Sequence, residues 1–226
     1  MILKTEPIEE LSTEEQKEVL QILSAEERAR YERITHRPTA LGFLIGKKMV
    51  RENLATLSGQ KPASFEFREN DHGRPELFNS PKALEGLDFN LSHSRRLVGL
   101  GLSFEERIGI DLEPLDRRLD HDLVARRFFS LKECADLAVL SPGARQRRFL
   151  ELWVLKEAWL KADGRGLTAG LHKVVFTFPS PEKPILLALP PEGGTVEDWT
   201  VELREVEEHL LGIARRQRAE GNRGPE

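Results

Sequence analysis

Between residues 88 and 113 the chain reads DFNLSHSRRLVGLGLSFEERIGIDLE, three runs of alternating apolar and polar residues joined by short charged connectors. Period-two alternation marks strands, and connectors this short leave antiparallel neighbours as the expected arrangement. The pattern predicts a three-stranded meander over DFNLSHS, LVGLGLSF and IGIDLE, stopped by Pro114, which cannot donate to a ladder. Gly99, Gly101 and Ser103 share one face of the middle run, where a helix or ligand can approach the backbone closely. In the third run Ile108, Ile110 and Leu112 form one face, and Gly109, Asp111 and Glu113 the other. Taken alone, two acids so placed read as the solvated face of an edge strand. In the meander, however, they would share a sheet edge with His93, two strand spacings or roughly 10 Å away.

The flanking segments are helical in period. Residues 12 to 33 read as helix, with STEE as a capping box and Ser24 as a second N-cap. Thr39 to Leu57 form another, with Leu44, Lys47 and Arg51 on one side. The stretch 60 to 88 is rich in turn residues and reads as loop. Beyond Pro114, VARRFFSLKECADLAVL reads as helix and SPGAR as a turn. The longest helix, QRRFLELWVLKEAWLKAD, follows and is closed by Gly164. On it Trp153, Glu157 and Lys161 lie at i, i+4 and i+8, within about 80° of one another around the axis. Residues 171 to 214 return to short strands. No sequence repeat is visible, yet helix plus short antiparallel strands recur in both halves. The expected organisation is an N-terminal half over 1–106, a C-terminal half over 107–214 and a flexible tail over 215–226.

Composition excludes several classes. No apolar run reaches the roughly 18 residues of a membrane span, and the acidic start lacks a signal-peptide core. The single cysteine, Cys134, cannot form an internal disulfide, which fits a cytoplasmic location. A net charge of −4 argues against wrapping nucleic acid. The charge is nonetheless uneven: Arg28, Arg30, Arg33, Arg37, Lys47, Lys48 and Arg51 face only Glu32 in that stretch, enough to attract a phosphorylated small molecule. The plainer alternative is a solvated helix face partnered by Glu26 and Glu27.

Three separated pieces, FNLSHS, GIDLE and LWVLKEAWLKADGRGL, resemble the N-x-S-H, G-x-D-x-E and W-x-x-K-E-A-x-x-K motifs of the Sfp-type 4′-phosphopantetheinyl transferases, in the same order. HGRP and RFFSLKE resemble two further elements of that family, and the likeness runs from about residue 24 to 214. The resemblance implies an α+β fold of two similar halves related by a pseudo-twofold, each a small antiparallel sheet packed on a helix. It implies transfer of the phosphopantetheine arm of coenzyme A to a serine of an acyl or peptidyl carrier protein, with Mg²⁺ required and 3′,5′-ADP released. Such proteins serve fatty acid, polyketide or nonribosomal peptide synthesis, and at this length act as monomers.

Residue by residue, the likeness makes Asp111, Glu113 and Glu157 the metal ligands, with Glu157 also a candidate base for the serine proton. Carboxylates suit Mg²⁺, a hard cation. Lys161 and His93 complete the expected catalytic set. Arg30, Arg37, Arg51, Arg74, Ser92, His93 and Lys161 are expected on the phosphates of coenzyme A. Arg74 stands where the family has lysine, and Gly42 or Phe43 where it has an arginine for the 3′-phosphate. Carrier proteins, acidic around their serine, are expected on the segment from Leu115 to Leu140, through Arg117, Arg118, Arg126 and Arg127. Two other classes make different demands. A metal-dependent nuclease calls for E-x-K on the strand, whereas Pro-Leu follows Glu113, and a non-catalytic coenzyme A or carrier-protein module calls for a missing acid.

Overall fold

Serine–glutamate pairs start three helices. Ser12 with Glu15, Ser24 with Glu27 and Ser130 with Glu133 form complete capping boxes, each side chain satisfying an otherwise orphaned amide. The structure, a computed structural model, describes residues 1–9, 11–166, 170–180 and 183–218. It divides into two units, Met1–Phe104 and Glu105–Glu226.

The first unit runs β1 (Ile2–Pro7), α1 (Thr13–Ile22), α2 (Ala25–Glu32), α3 (Arg37–Ser58), β2 (Glu66–Glu69), β3 (Pro75–Phe78), β4 (Asp88–His93) and β5 (Leu97–Ser103). β5 lies between β1 and β4, antiparallel to both. α3 packs on this sheet through Ile45, Met49 and Leu54, which share a core with Phe89, Val98, Leu100 and Leu102.

The second unit runs β6 (Glu106–Pro114), α4 (His121–Phe128), α5 (Leu131–Ala138), α6 (Pro142–Asp163), β7 (Val175–Ser180), β8 (Lys183–Ala188), β9 (Trp199–Val206) and β10 (His209–Gln217). Here β10 lies between β6 and β9, again antiparallel to both. The core gathers on α6 around Phe149, Leu155 and Trp159, with Phe129, Phe176 and Leu210.

Each unit therefore has the same order: one strand, two short helices, a 22-residue helix, a two-stranded hairpin and a closing pair of strands. α3 and α6 both begin with proline in the first turn and end on a left-handed glycine, Gly59 at φ 71° and Gly164 at φ 81°. The fold class is α+β. Among the described residues no helix is long and apolar enough to cross a membrane.

Several expectations are corrected. The meander does not form: β4 and β5 pair with Asn90 opposite Gly101, but β6 pairs with β10, Asp111 opposite Gly212. The free edge of β5 is taken by β1, and the chain leaves the sheet at Glu105, whose φ is 73°. His93 and the two acids thus belong to different sheets. The stretch 60 to 88 is not all loop, since β2 and β3 form a hairpin turned at Gly73, with Asn70 Oδ1 accepting from the amides of His72 and Arg74. The helix expected after Pro114 is two helices, broken where Phe129 is extended and Ser130 caps α5. SPGAR starts α6 instead of turning, and β10 continues to Gln217. The rest of the expected tail, from residue 219, lies outside the described residues.

Candidate active site and basic cleft

Two glycines set the distance between α6 and its sheet. A Cβ on Gly109 would fall 2.0 Å from the Ala158 carbonyl oxygen, and one on Gly212 would fall 2.3 Å from that of Val154. Their absence lets the helix backbone lie directly on β6 and β10. Asp111 is two residues beyond Gly109 and so shares its face, which brings it to α6. Lys161 Nζ donates to Asp111 Oδ1 at 2.7 Å. The acids are therefore not on an open solvated face: Asp111 is buried, and Ile108, Ile110 and Leu112 on the other face are buried as well.

Glu157 lies one turn before Lys161. Burial pushes its carboxyl above the usual glutamate range and the neighbouring Asp111 charge pushes it further, while Lys161 and Arg117 pull it back only in part. Glu113 forms an ion pair with Arg117. The Arg117 guanidinium also lies 5.6 Å from the ring centroid of Trp153, first residue of the Trp153–Glu157–Lys161 stripe. Burial lowers the Arg117 pKa, against the opposing pull of Asp111 and Glu157. Among the described residues, no three acid, histidine or cysteine side chains stand together in an arrangement ready to hold a metal. Lys161 and Arg117 instead provide the positive charge beside the carboxylates.

Lys156, next to Glu157, points away from this cluster. It is fully buried, paired with Glu133 at 2.9 Å, and donates to the carbonyls of Leu171 and Val174. Glu133 also accepts from the Phe176 amide. This network fixes α6 against α5 and the segment before β7, and so fixes the face that Glu157 and Lys161 present.

In the first unit, Ser92 is buried in β4 and His93 is exposed at its end. The His93 ring lies against α3 at Gly46, where an added Cβ would come within 2.8 Å of Nε2, and at Gly42, where it would come within 3.6 Å of Cδ2. Glycines four residues apart thus form the notch that seats the imidazole. The same unit holds a cleft of about 910 Å³ whose lining includes Arg30, Arg33, Lys47, Arg51, Phe67 and Arg68.

Glu27 stands within the cleft and pairs with Lys47 at 3.0 Å and Arg51 at 2.7 Å. Burial raises its pKa, but Lys47 and the hydrogen bonds from Ser24, Lys47 and Arg51 outweigh this and leave it below the usual value. The alternative of Glu27 as partner to the basic stretch is realised at these two residues. Arg51 is buried and donates to the carbonyls of Pro62 and Phe65. Arg74 is buried against Asp88 at 2.7 Å and the Phe89 carbonyl. Arg30 is exposed beside Glu69, and Arg37 is exposed at the start of α3. Sequence reasoning did not find Arg68, or the seating of Arg117 on Glu113. An arginine four residues after an acid was the available signal for the latter.

Two family descriptions match the chain: "4'-phosphopantetheinyl transferase, N-terminal" over residues 10–104 and "4'-phosphopantetheinyl transferase superfamily" over residues 107–214. Among curated proteins, a 4′-phosphopantetheinyl transferase of Bacillus subtilis is 33% identical over 71% of this chain and 69% of its own length. HetI of Nostoc sp., a 4′-phosphopantetheinyl transferase, is 33% identical over 77% and 73%. Sfp of Bacillus subtilis strain 168, which bears the same activity name, is 30% identical over 71% and 69%. Across the first relatives the matched share of their own length runs from 62% to 73%. The chain belongs to the 4′-phosphopantetheinyl transferase family and is of the Sfp type.

Proposed function

We propose that this chain transfers the 4′-phosphopantetheine arm of coenzyme A to a serine of an acyl or peptidyl carrier protein, with Asp111, Glu113 and Glu157 holding Mg²⁺. The observation that supports this reading is the close approach of α6 to β6, which sets Lys161 on Asp111 with Glu157 one turn before it, and Arg117 on Glu113 two residues along the strand. Lys161 and Arg117 hold these acids in the absence of metal, and carboxylate oxygens are the donors that a hard dication takes. When bound, Mg²⁺ would neutralise charge on the phosphate oxygens as the pyrophosphate bond breaks.

The chain's own residues supply the rest. The serine oxygen bonds to the β-phosphorus, the bond from that phosphorus to the leaving phosphate breaks, and 3′,5′-ADP departs. Glu157 accepts the serine proton. Lys161 is the point charge for the diphosphate. Arg30, at the cleft, and Arg37 are the exposed candidates for the 3′-phosphate. Arg51 and Arg74 support the surrounding backbone through the contacts described, and Ser92 and His93 are assigned to phosphate contacts. For the carrier protein, Arg118, Arg126 and Arg127 are exposed beside Leu123 and Leu131, the latter 91% exposed, whereas Phe129 is buried in the core. Bases steer and apolar side chains anchor. The protein acts as a monomer in the cytoplasm, on neither nucleic acid nor membrane.

The test is 3′,5′-ADP release from coenzyme A and Mg²⁺ with an apo carrier protein. The reading requires release that stops when the carrier serine is replaced by alanine. Release independent of that serine, or none across acyl and peptidyl carriers, would refute it.

A further inference from the structure

Arg117, expected on the carrier protein, is turned to Glu113 inside the carboxylate site, and the proposed reaction leaves it without a role. Its amide donates to the Pro114 carbonyl, and the neighbouring Leu115 amide donates to that of Glu208, so the chain turns back after β6 and returns the guanidinium to Glu113. The guanidinium also lies over the Trp153 ring. We propose that Arg117 is a resident counter-cation that a divalent ion must displace from Glu113, so that this arginine weakens and thereby sets the site's affinity for metal. The inference rests on the assignment of Asp111, Glu113 and Glu157 as ligands.

Two features support competition over simple bracing. A guanidinium on a carboxylate occupies the lone pairs that a hard cation requires. Asp111 and Glu157 also attract Arg117, so the arginine neutralises the same charges that metal would neutralise. Trp153 gives the displaced guanidinium a partner that it keeps, since a cation over an indole face is held without a carboxylate. Release therefore does not require Arg117 to leave the site.

The experiment measures Mn²⁺ binding by electron paramagnetic resonance. It uses the full chain saturated with coenzyme A, with carrier protein omitted so that nothing turns over. Arg117→Met is expected to bind Mn²⁺ roughly fivefold more tightly than the wild type, as loss of one partly exposed ion pair implies. Arg117→Lys, which keeps the charge and much of the packing, should fall between them. Without metal, Arg117→Met should melt at a lower temperature than the wild type, and Mn²⁺ should raise its melting temperature by more. Equal or weaker Mn²⁺ binding by both variants would overturn the proposal. Asp111→Asn separates the two levels. If it binds Mn²⁺ like the wild type, the carboxylate site itself is wrong. If it loses binding while Arg117→Met gains none, only the role of Arg117 falls.

Discussion

At the residue scale, Glu27 does two jobs. Its carboxylate closes the capping box of α2 through the Ser24 amide and neutralises Lys47 and Arg51 in the cleft. Its folded pKa lies below the usual value of 4.5, so between the two the unfolded chain binds more protons than the folded one. Stability from this group is then fully present above the unfolded pKa and is lost as pH falls through the folded pKa. Glu27→Gln is expected to flatten the acid limb of a stability–pH profile measured by urea denaturation from about pH 5 downwards. An acid limb as steep as the wild type's would contradict the assignment. Glu157 has the opposite displacement, raised by burial and by Asp111, because Lys161 and Arg117 offset these only in part, whereas Lys47 and the hydrogen bonds on Glu27 outweigh its burial.

At the element scale, the starts of α1 and α2 were legible because capping is local: Ser12 and Ser24 each precede their glutamate by three residues, whereas the same pattern at Ser130 lay inside a run whose helical period continues across it. The acid face was legible for the same reason, since Asp111 and Glu113 are two apart on a strand. Strand partners were not. Alternation in LVGLGLSF and IGIDLE identifies two strands but carries no information on neighbours, and β6 takes β10, about a hundred residues later. The hairpin β2–β3 was hidden because its strands have four residues each around an Asn-to-Gly turn. Gly109 and Gly212 make the close approach of α6 testable. Gly109→Ala would place a carbon against the Ala158 carbonyl and is expected to cost at least about 3 kcal/mol in chemical denaturation. A loss below about 1 kcal/mol would show that α6 is free to move off β6. On α4 and the turn before it, charge reversal at Arg118 and Arg126 should raise KM for the carrier protein at least roughly fivefold, with KM for coenzyme A and kcat nearly unchanged. An unchanged carrier KM at low ionic strength would move docking off this segment.

At the scale of the whole molecule, one order of elements occurs twice, with no repeat visible in the sequence. The two copies share backbone needs, a proline-started long helix and a left-handed glycine to end it, which many side-chain sets satisfy. Counted back from those glycines, Glu52 stands seven residues before Gly59 as Glu157 stands seven before Gly164. In the first unit burial raises the pKa of Glu6, with Glu52 adding to it and Lys48 and Lys4 opposing. In the second, Glu157 has the same kind of acid neighbour in Asp111, with Lys161 and Arg117 as the cations. The G-x-D-x-E and W-x-x-K-E-A-x-x-K motifs fall on the second of these clusters, where catalysis is proposed. Those acids are proposed to support transfer onto a carrier serine. The most direct measurement is the intact mass of an apo carrier protein after incubation with this chain, coenzyme A and Mg²⁺. A gain of one phosphopantetheine group is expected with the wild type and none with an Asp111→Asn variant of unchanged circular dichroism. An unmodified carrier with the wild type, or equal modification by the variant, would contradict it.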